Sequence, residues 1–371
     1  MRDRAATCRL RRSLHPLAWW VWALGLTVAA SRTTNPLLLG VILGVACCVV
    51  LARRPDAPWA NAFRLYVLGG LLVVAIRVFF RIVFAGDQGD QVLLALPTIA
   101  LPHLVSGIHL FGDVTAESVL AGVYDGMRLA TMLICLGAAN ALANPRRLLR
   151  SMPPALHEVS TAVVVALSVF PQLAESVVRV GRARRLRPAK SGSSRFAELR
   201  MVVIPVLEDA LDRSLVLAAS MDSRGYGRTG GRSRRASRVT GGLLVVGLAG
   251  ICVGVYCLLD GTTPRVLATP LLIVGLAVGV LGVVLSGRGV SRSSYRPDRW
   301  RVAEVVVVVS GLTAGALVTV TSRVDPANLN PSLNPLAWPQ LALLPIIGVL
   351  VGVVPAWATP LPADSGRLVP A

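Results

Sequence analysis

Long apolar runs separated by basic loops constrain this chain more than any other feature. A bilayer core about 30 Å thick is crossed by roughly 20 apolar residues in a helix. Apolar residues make up 54% of the 371 positions, a share that leaves too little polar surface for a soluble domain. The sequence therefore predicts an all-α polytopic membrane protein with about eight transmembrane helices, at residues 16–31, 36–52, 65–84, 116–142, 240–259, 266–286, 303–321 and 340–358.

The orientation of these spans follows from the arginines between them, because Lys and Arg resist translocation. Basic clusters precede the first span and follow the second, fourth and sixth, whereas the loops 85–114, 260–265 and 322–339 carry few positive charges. Every second loop is basic. We therefore expect a multi-pass protein of the cell (plasma) membrane with both termini in the cytoplasm.

The net charge of +19 raises the question of nucleic acid, but that interpretation needs a basic soluble module with base-reading or stacking residues, and aromatic residues are only 5%. The six cysteines have no C-x-x-C spacing and most lie in apolar runs, and the four histidines are scattered. We predict no nucleic-acid partner, no metal site and no cofactor. We expect the lipid bilayer to surround the apolar helices.

The segment 144–239 differs from the rest of the chain. Fifteen basic and five acidic residues fall between positions 179 and 238, which predicts a cytoplasmic location. The sequence is thus divided into N-terminal transmembrane helices (1–143), a cytoplasmic coupling-helix region (144–239) and C-terminal transmembrane helices (240–371).

Within this basic segment the apolar pattern is helical. Spacings of three and four residues place one set of side chains on one face, Ile204, Leu207, Leu211, Leu215 and Ala218, and a polar set on the other, Asp209, Arg213, Ser220 and Arg224. A preceding helical run contains Pro171 and ends in arginines. Gly225 is predicted to end the second helix in the left-handed conformation, with Arg224 projecting from that end.

Two sequence stretches carry a family resemblance. "FPQLAESVVRVGRARRLRP" and "ALDRSLVLAASMDSRGYG", together with the opening "HPLAWWVWALGLTVAA", are similar to the transmembrane T component of energy-coupling factor transporters, the family that includes the cobalt-transport permease subunit. The stretch "NPRRLLRSMPPALHEVSTAVVVALSVFPQLAES" resembles the approach to the family's first motif. The resemblance covers roughly 14–260.

The resemblance implies a role for each helix end. In that family each motif is Ala-Arg-Gly, and each arginine docks into one of two ATP-binding-cassette (ABC) subunits in the cytoplasm. The matching residues here are Ala183, Arg184 and Arg185 in the first motif and Ser223, Arg224 and Gly225 in the second. Arg185 stands where the family has Gly, and a left-handed conformation there costs about 1 kcal/mol.

The resemblance implies a non-enzymatic scaffold and coupling subunit of an importer. It would link the ATPases to a substrate-binding membrane subunit for uptake of a vitamin or metal ion. The chain has no P-loop, so ATP hydrolysis is expected on the partners. About 110 residues follow the region of resemblance, and the sequence assigns them no function.

Three alternatives stay open from the residues alone. A membrane-embedded enzyme acting on lipid or prenyl substrates would use the intramembrane carboxylates Asp125 and Glu304. A lipid anchor would use the arginines to attract anionic headgroups, and "SRGYG" would then be no more than a capped helix end. Arg77 and Arg81, inside the third apolar run, either face a protein interior or extend to the membrane interface.

Overall fold

In a computed structural model the protein is almost entirely helical. The structure describes residues 14–55, 61–84, 91–95, 99–100, 109–110, 112–151, 156–185, 195–225, 234–260, 264–287 and 300–360. The helices are α1 (Pro16–Ser31), α2 (Pro36–Arg53), α3 (Phe63–Val83), α4 (Ala116–Leu142), α5 (Pro145–Arg150), α6 (His157–Arg185), α7 (Arg195–Ser223), α8 (Arg234–Leu259), α9 (Arg265–Gly287), α10 (Val302–Val324), α11 (Pro326–Leu329), α12 (Leu343–Val351) and α13 (Pro355–Ala358).

Seven helices in the described part of the chain are long and apolar enough to cross a membrane, namely α2, α3, α4, α6, α8, α9 and α10. Six of them coincide with predicted spans. The predicted spans 16–31 and 340–358 correspond to shorter apolar helices. The all-α polytopic fold predicted from the sequence is confirmed.

The predicted span 340–358 is interrupted near its middle, where α12 ends at Val351 and α13 begins at Pro355. Proline has no N–H to donate, and its ring clashes with the carbonyl four residues earlier. The backbone before Pro355 tightens accordingly, and the amides of Gly352 and Val353 donate to carbonyls three residues back. A hydropathy pattern does not register this break, because the residues around it are apolar.

Two short antiparallel strand pairs connect α3 to α4. Strand β1 (Val92–Ala95) pairs with β4 (Asp113–Thr115), and β2 (Ile99–Ala100) pairs with β3 (His109–Leu110). Thr115 then caps the first turn of α4, its hydroxyl accepting from the Ser118 amide at 3.3 Å.

Contacts divide the chain into two compact units. One unit is formed by both ends of the chain, residues 1–148 and 298–371, and the other by residues 149–297. The three segments predicted from the sequence, 1–143, 144–239 and 240–371, divide the chain by expected position relative to the membrane and not by contacts between helices. This division stays a prediction.

The first unit is built around α1, most of whose small and aromatic residues are buried, and α1 packs against α10 and α4. A Cβ added to Gly25 would lie 2.1 Å from the Gly311 carbonyl oxygen, so the two backbones touch. Such close approach is how helices associate in lipid, where small residues allow backbone-to-backbone packing. The Trp22 indole N–H donates to the Gly352 carbonyl at 2.9 Å, which ties α1 to the segment after α12.

Polar contacts close the opposite end of this unit. The Thr33 hydroxyl donates to the Leu329 carbonyl at 2.7 Å, and the side-chain amide of Asn35 donates to the Gln340 carbonyl at 2.7 Å. The Asn35 side-chain oxygen also caps α2, accepting from the Leu37 amide. Residues 300–360, to which the sequence assigns no function, therefore complete the core of the N-terminal helices.

The arginines inside α3 have different surroundings. Arg81 lies 3.6 Å from the Asp125 carboxylate of α4, and its aliphatic stem packs where a side chain on Gly122 would be. Arg77, one turn earlier, is exposed. Arg81 is thus paired with a neighbouring helix while 39% of its side chain stays exposed, and the choice between a protein interior and the membrane interface stays a prediction.

In the second unit α8 and α9 form a hairpin packed through glycines. A Cβ on Gly247 would approach the Gly279 nitrogen to 2.5 Å, and one on Gly275 would approach the Gly250 carbonyl carbon to 2.6 Å. The large apolar side chains of both helices point outward, as expected for a hairpin surrounded by lipid.

Candidate docking site on the coupling helices

Helices α6 and α7 carry the two predicted docking motifs at their C-terminal ends. Each helix has 29 residues, and each contains one internal proline, Pro171 in α6 and Pro205 in α7. At a rise of about 1.5 Å per residue each helix is roughly 40 Å long. The motifs therefore lie at the ends of two long rods.

The end of α7 has the predicted geometry. Gly225 has φ +79°, in the left-handed region, and its amide donates to the Asp222 carbonyl at 2.8 Å. This bond is one of those that satisfy the free carbonyls at a helix C-terminus. The prediction of a left-handed Gly225 cap is confirmed, and Arg224 beside it is exposed.

Ser223 stands where the family has Ala, and the structure gives its hydroxyl a local partner. Ser223 Oγ donates to the Ser220 carbonyl at 2.9 Å within α7 itself. The hydroxyl therefore needs no partner outside the helix, which makes the Ser-for-Ala difference a small one.

The end of α6 differs from that of α7. Ala183 is exposed, and the helix continues through Arg185. Because Arg185 is helical, the strain expected for an arginine in a left-handed position does not arise. The side chains of Arg184 and Arg185 lie outside the part of the chain that the structure describes.

The two helices meet at a cluster of polar side chains. Ser176 Oγ of α6 donates to Asp209 Oδ2 of α7 at 2.7 Å, and Arg213 Nε donates to Asp209 Oδ1 at 3.0 Å. The hydrogen bond from Ser176 and the hydrogen bond and charge of Arg213 hold the pKa of Asp209 below its usual range, with a further contribution from the charge of Arg179. Asp209 is thus kept ionised.

The sequence placed Asp209 and Arg213 on the polar face of α7 without assigning them a partner. It missed Ser176 and Gln172, which face them from α6. A signal was present: Gln172, Ser176 and Arg179 follow a spacing of four and three on an otherwise apolar helix, the pattern of a polar stripe.

The polar face of α7 is the one that meets α6, and its apolar face is exposed. Leu207, Leu211 and Leu215 are 54%, 63% and 68% exposed. An apolar stripe of this length on a soluble helix would bury itself against a neighbour. This face is open to a further protein or to lipid.

The carboxylates needed for a membrane-embedded enzyme have structural contacts. Asp125 pairs with Arg81, and Glu304 is fully buried at the first turn of α10, where it accepts the Arg301 amide at 3.0 Å. No group of three or more His, Cys, Asp or Glu among the described residues could hold a metal ion.

Comparison with known proteins relates this chain to a family of transport proteins. A family model described as cobalt transport protein (CbiQ) matches residues 8–235, well over half of the chain. A comparison with curated proteins finds no match. The matched segment runs from the start of the first unit through both long helices and their terminal motifs. By that match this multi-pass membrane protein belongs to the cobalt transport protein (CbiQ) family, the membrane components of a transport system.

Proposed function

We propose that the chain is the transmembrane scaffold and coupling subunit of an energy-coupling factor ABC importer. It joins two cytoplasmic ABC ATPase subunits to a separate substrate-binding membrane subunit that takes up a vitamin or a metal ion. Family membership supports the transport role. The two long helices with terminal arginines support the coupling role.

The geometry at the end of α7 carries this proposal. Gly225 holds the chain in a turn that ends the helix, and Arg224 next to it is exposed. A guanidinium presented from a fixed helix end can pair with a carboxylate through two parallel hydrogen bonds or cap free carbonyls in a partner's groove. Ser223, Arg224 and Gly225 form the docking tip of α7.

Ala183, Arg184 and Arg185 form the docking tip of α6. Two tips on one chain match two ATPase subunits. Because each tip is the end of a stiff helix, movement of an ATPase displaces the whole helix and reaches the membrane segments.

The charge distribution supports a cytoplasmic position for α6, although α6 is apolar enough to cross a membrane. Arginines precede it, at 146, 147 and 150, and occupy its last turn, at 182, 184 and 185. A transmembrane α6 would place one of these clusters outside the cell, against the distribution of positive charge in membrane proteins.

The exposed apolar face of α7 supports the membrane partner. Leu207, Leu211 and Leu215 form a stripe that a substrate-binding membrane subunit can cover with its own apolar surface. Movement of α7 then reorients that subunit directly.

Copurification tests the proposal. The full chain, solubilised in detergent, is purified together with candidate ABC ATPases, and the ATPase retained is compared among wild type, Arg224→Ala and Arg184→Ala. We expect wild type to retain both ATPases and each variant to lose binding at its own tip. Truncating an anchoring arginine at an interface costs about 2 kcal/mol or more, a loss of roughly thirtyfold in affinity.

Arg64→Ala is the matched control, since Arg64 is an exposed arginine of α3 and lies outside both helices that carry the tips. Retention of ATPase by folded Arg224→Ala and Arg184→Ala variants would refute docking through the tips. Equal losses for all three variants, including the control, would instead support a general attraction of positive charge to lipid or protein.

A further inference from the structure

The crossing of α6 and α7 buries few side chains completely. Among the described residues of these two helices, the buried side chains are both serines, Ser160 and Ser176. Apolar side chains beside the crossing, such as Leu173 of α6 and Val206 of α7, are only half-buried. Apolar burial at this crossing is therefore partial, and the polar contacts add the interactions that have a fixed direction.

Those contacts form a connected set centred on one carboxylate. Both oxygens of Asp209 accept hydrogen bonds, one from Ser176 at 2.7 Å and the other from Arg213 at 3.0 Å. Arg213 Nη1 reaches back to Gln172 Oε1 of α6 at 3.5 Å. Hydrogen bonds are directional, so this set fixes the rotation of each helix about its own axis, which apolar contact alone would leave loose.

The same helix faces lead to the docking tips. On α6, Ser176 and Ala183 are seven residues apart, which is two turns, so they lie on one face. On α7, Asp209 and Arg224 also fall on one face, about 22 Å apart along the axis. A rotation at the crossing is therefore carried directly to both tips.

We propose that Ser176, Asp209 and Arg213 form a positioning latch that sets the spacing and orientation of the two docking tips. The latch touches neither ATP nor substrate and acts through the helices that it joins. Its value to transport rests on the proposed coupling function, since a fixed spacing matters only if both tips bind partners. With the latch intact, a push on one tip moves α6 and α7 as one body, and without it each helix moves alone.

Distance measurement between the tips tests the latch directly. Arg182 and Asp222 are exposed, lie beside the motifs and can carry spin labels as Arg182→Cys and Asp222→Cys, with the six native cysteines replaced by alanine. Electron–electron resonance then gives the distribution of distances in the full chain without ATPases. We expect a narrow distribution for the wild-type latch and a broad, shifted one for Asp209→Asn and for Ser176→Ala.

Asp212→Asn is the matched control, because Asp212 is an exposed carboxylate on the same helix. We expect it to leave the distribution unchanged. The double variant Ser176→Ala with Asp209→Asn should broaden it by less than the sum of the two single changes, because both changes act on the same set of hydrogen bonds. Ser176→Ala deletes a single hydroxyl and carries the test if Asp209→Asn aggregates.

Unchanged distributions in folded Ser176→Ala and Asp209→Asn variants would overturn the latch. This result is distinct from failure of the proposed function, which shows as a wild-type chain that retains no ATPase. If the wild-type chain binds ATPases and both variants keep the wild-type tip distances, only the latch is refuted. If the wild-type chain binds no ATPase and the variants lose the narrow distance distribution, the latch stands and the importer function is refuted.

Discussion

Gly25 of α1 packs against the backbone of Gly311 of α10, so closely that a methyl group at residue 25 would come within 2.1 Å of the Gly311 carbonyl oxygen. A Cβ on Gly311 would in turn lie 2.4 Å from the Cα of Trp22. Neither helix can move away without losing this contact. The apolar helix α1, near the start of the chain, is thus fitted to α10, more than 270 residues later.

Gly25→Ala should therefore destabilise the first unit. Forcing a methyl group into a filled contact costs typically about 1–3 kcal/mol of the free energy of unfolding. Gly44→Ala in α2 is the control, because a Cβ there meets nothing within 4 Å. Unfolding followed by circular dichroism in detergent should show a lower midpoint for Gly25→Ala than for the wild type. The midpoint of Gly44→Ala should not fall below that of the wild type. Equal midpoints would mean that the two helices are not in backbone contact.

The Arg81–Asp125 pair between α3 and α4 should show energetic coupling. Arg81→Ala and Asp125→Ala each leave one charge without its partner, and the double variant removes both. Because the pair is more than a third exposed, we expect a coupling energy of only about 1 kcal/mol in a double-mutant cycle. A second cycle that uses Arg77→Ala instead of Arg81→Ala should show no coupling to Asp125, because Arg77 lies one turn away and is exposed.

The crossing of α6 and α7 should loosen in acid. The folded-state pKa of Asp209 lies below the ordinary value of 3.8, so its ionised form is favoured by folding. The resulting stabilisation is complete above pH 3.8 and is lost as the pH falls through the lower folded-state pKa. Tip-to-tip distances measured between pH 7 and pH 3 should broaden at the acid end, whereas Asp209→Asn should start broad and stay so. Identical pH profiles would remove Asp209 as the titrating group.

Gly225→Ala should weaken the tip of α7 without removing its arginine. An alanine held at φ +79° costs about 1 kcal/mol, so the tip either frays or bends Arg224 away. ATPase retention should fall about fivefold, less than for Arg224→Ala. Gly181→Ala in α6, where a Cβ meets nothing and alanine favours the helix, is the control. A larger loss for Gly181→Ala than for Gly225→Ala would contradict the role of the cap.

Much of this architecture is predictable from local sequence. The spans follow from hydropathy because lipid forces each backbone group to bond within its own helix, and this holds for α2, α3, α4, α8, α9 and α10. The left-handed cap at Gly225 follows from glycine's freedom at positive φ. Both signals lie within a few residues of the feature that they predict.

Contacts between distant segments were not predictable in the same way. The pairing of α1 with α10 depends on small residues that occur along many of the helices, so Gly25 alone does not identify Gly311. The amphipathic pattern of α7 identified its two faces, but hydrophobicity gave no reason to expect the polar one against α6. That outcome depends on Ser176 supplying a partner for Asp209 from another helix.

Because the first unit combines residues 1–148 with 298–371, its assembly has an order imposed by translation. At about 5–20 residues per second, α1 enters the membrane roughly tens of seconds before α10 is made. Throughout that interval Gly25 and Trp22 face lipid or an insertion factor instead of their partner. The second unit is completed in between, so the nascent chain already holds α6 and α7 before α10 reaches α1 and closes the first unit.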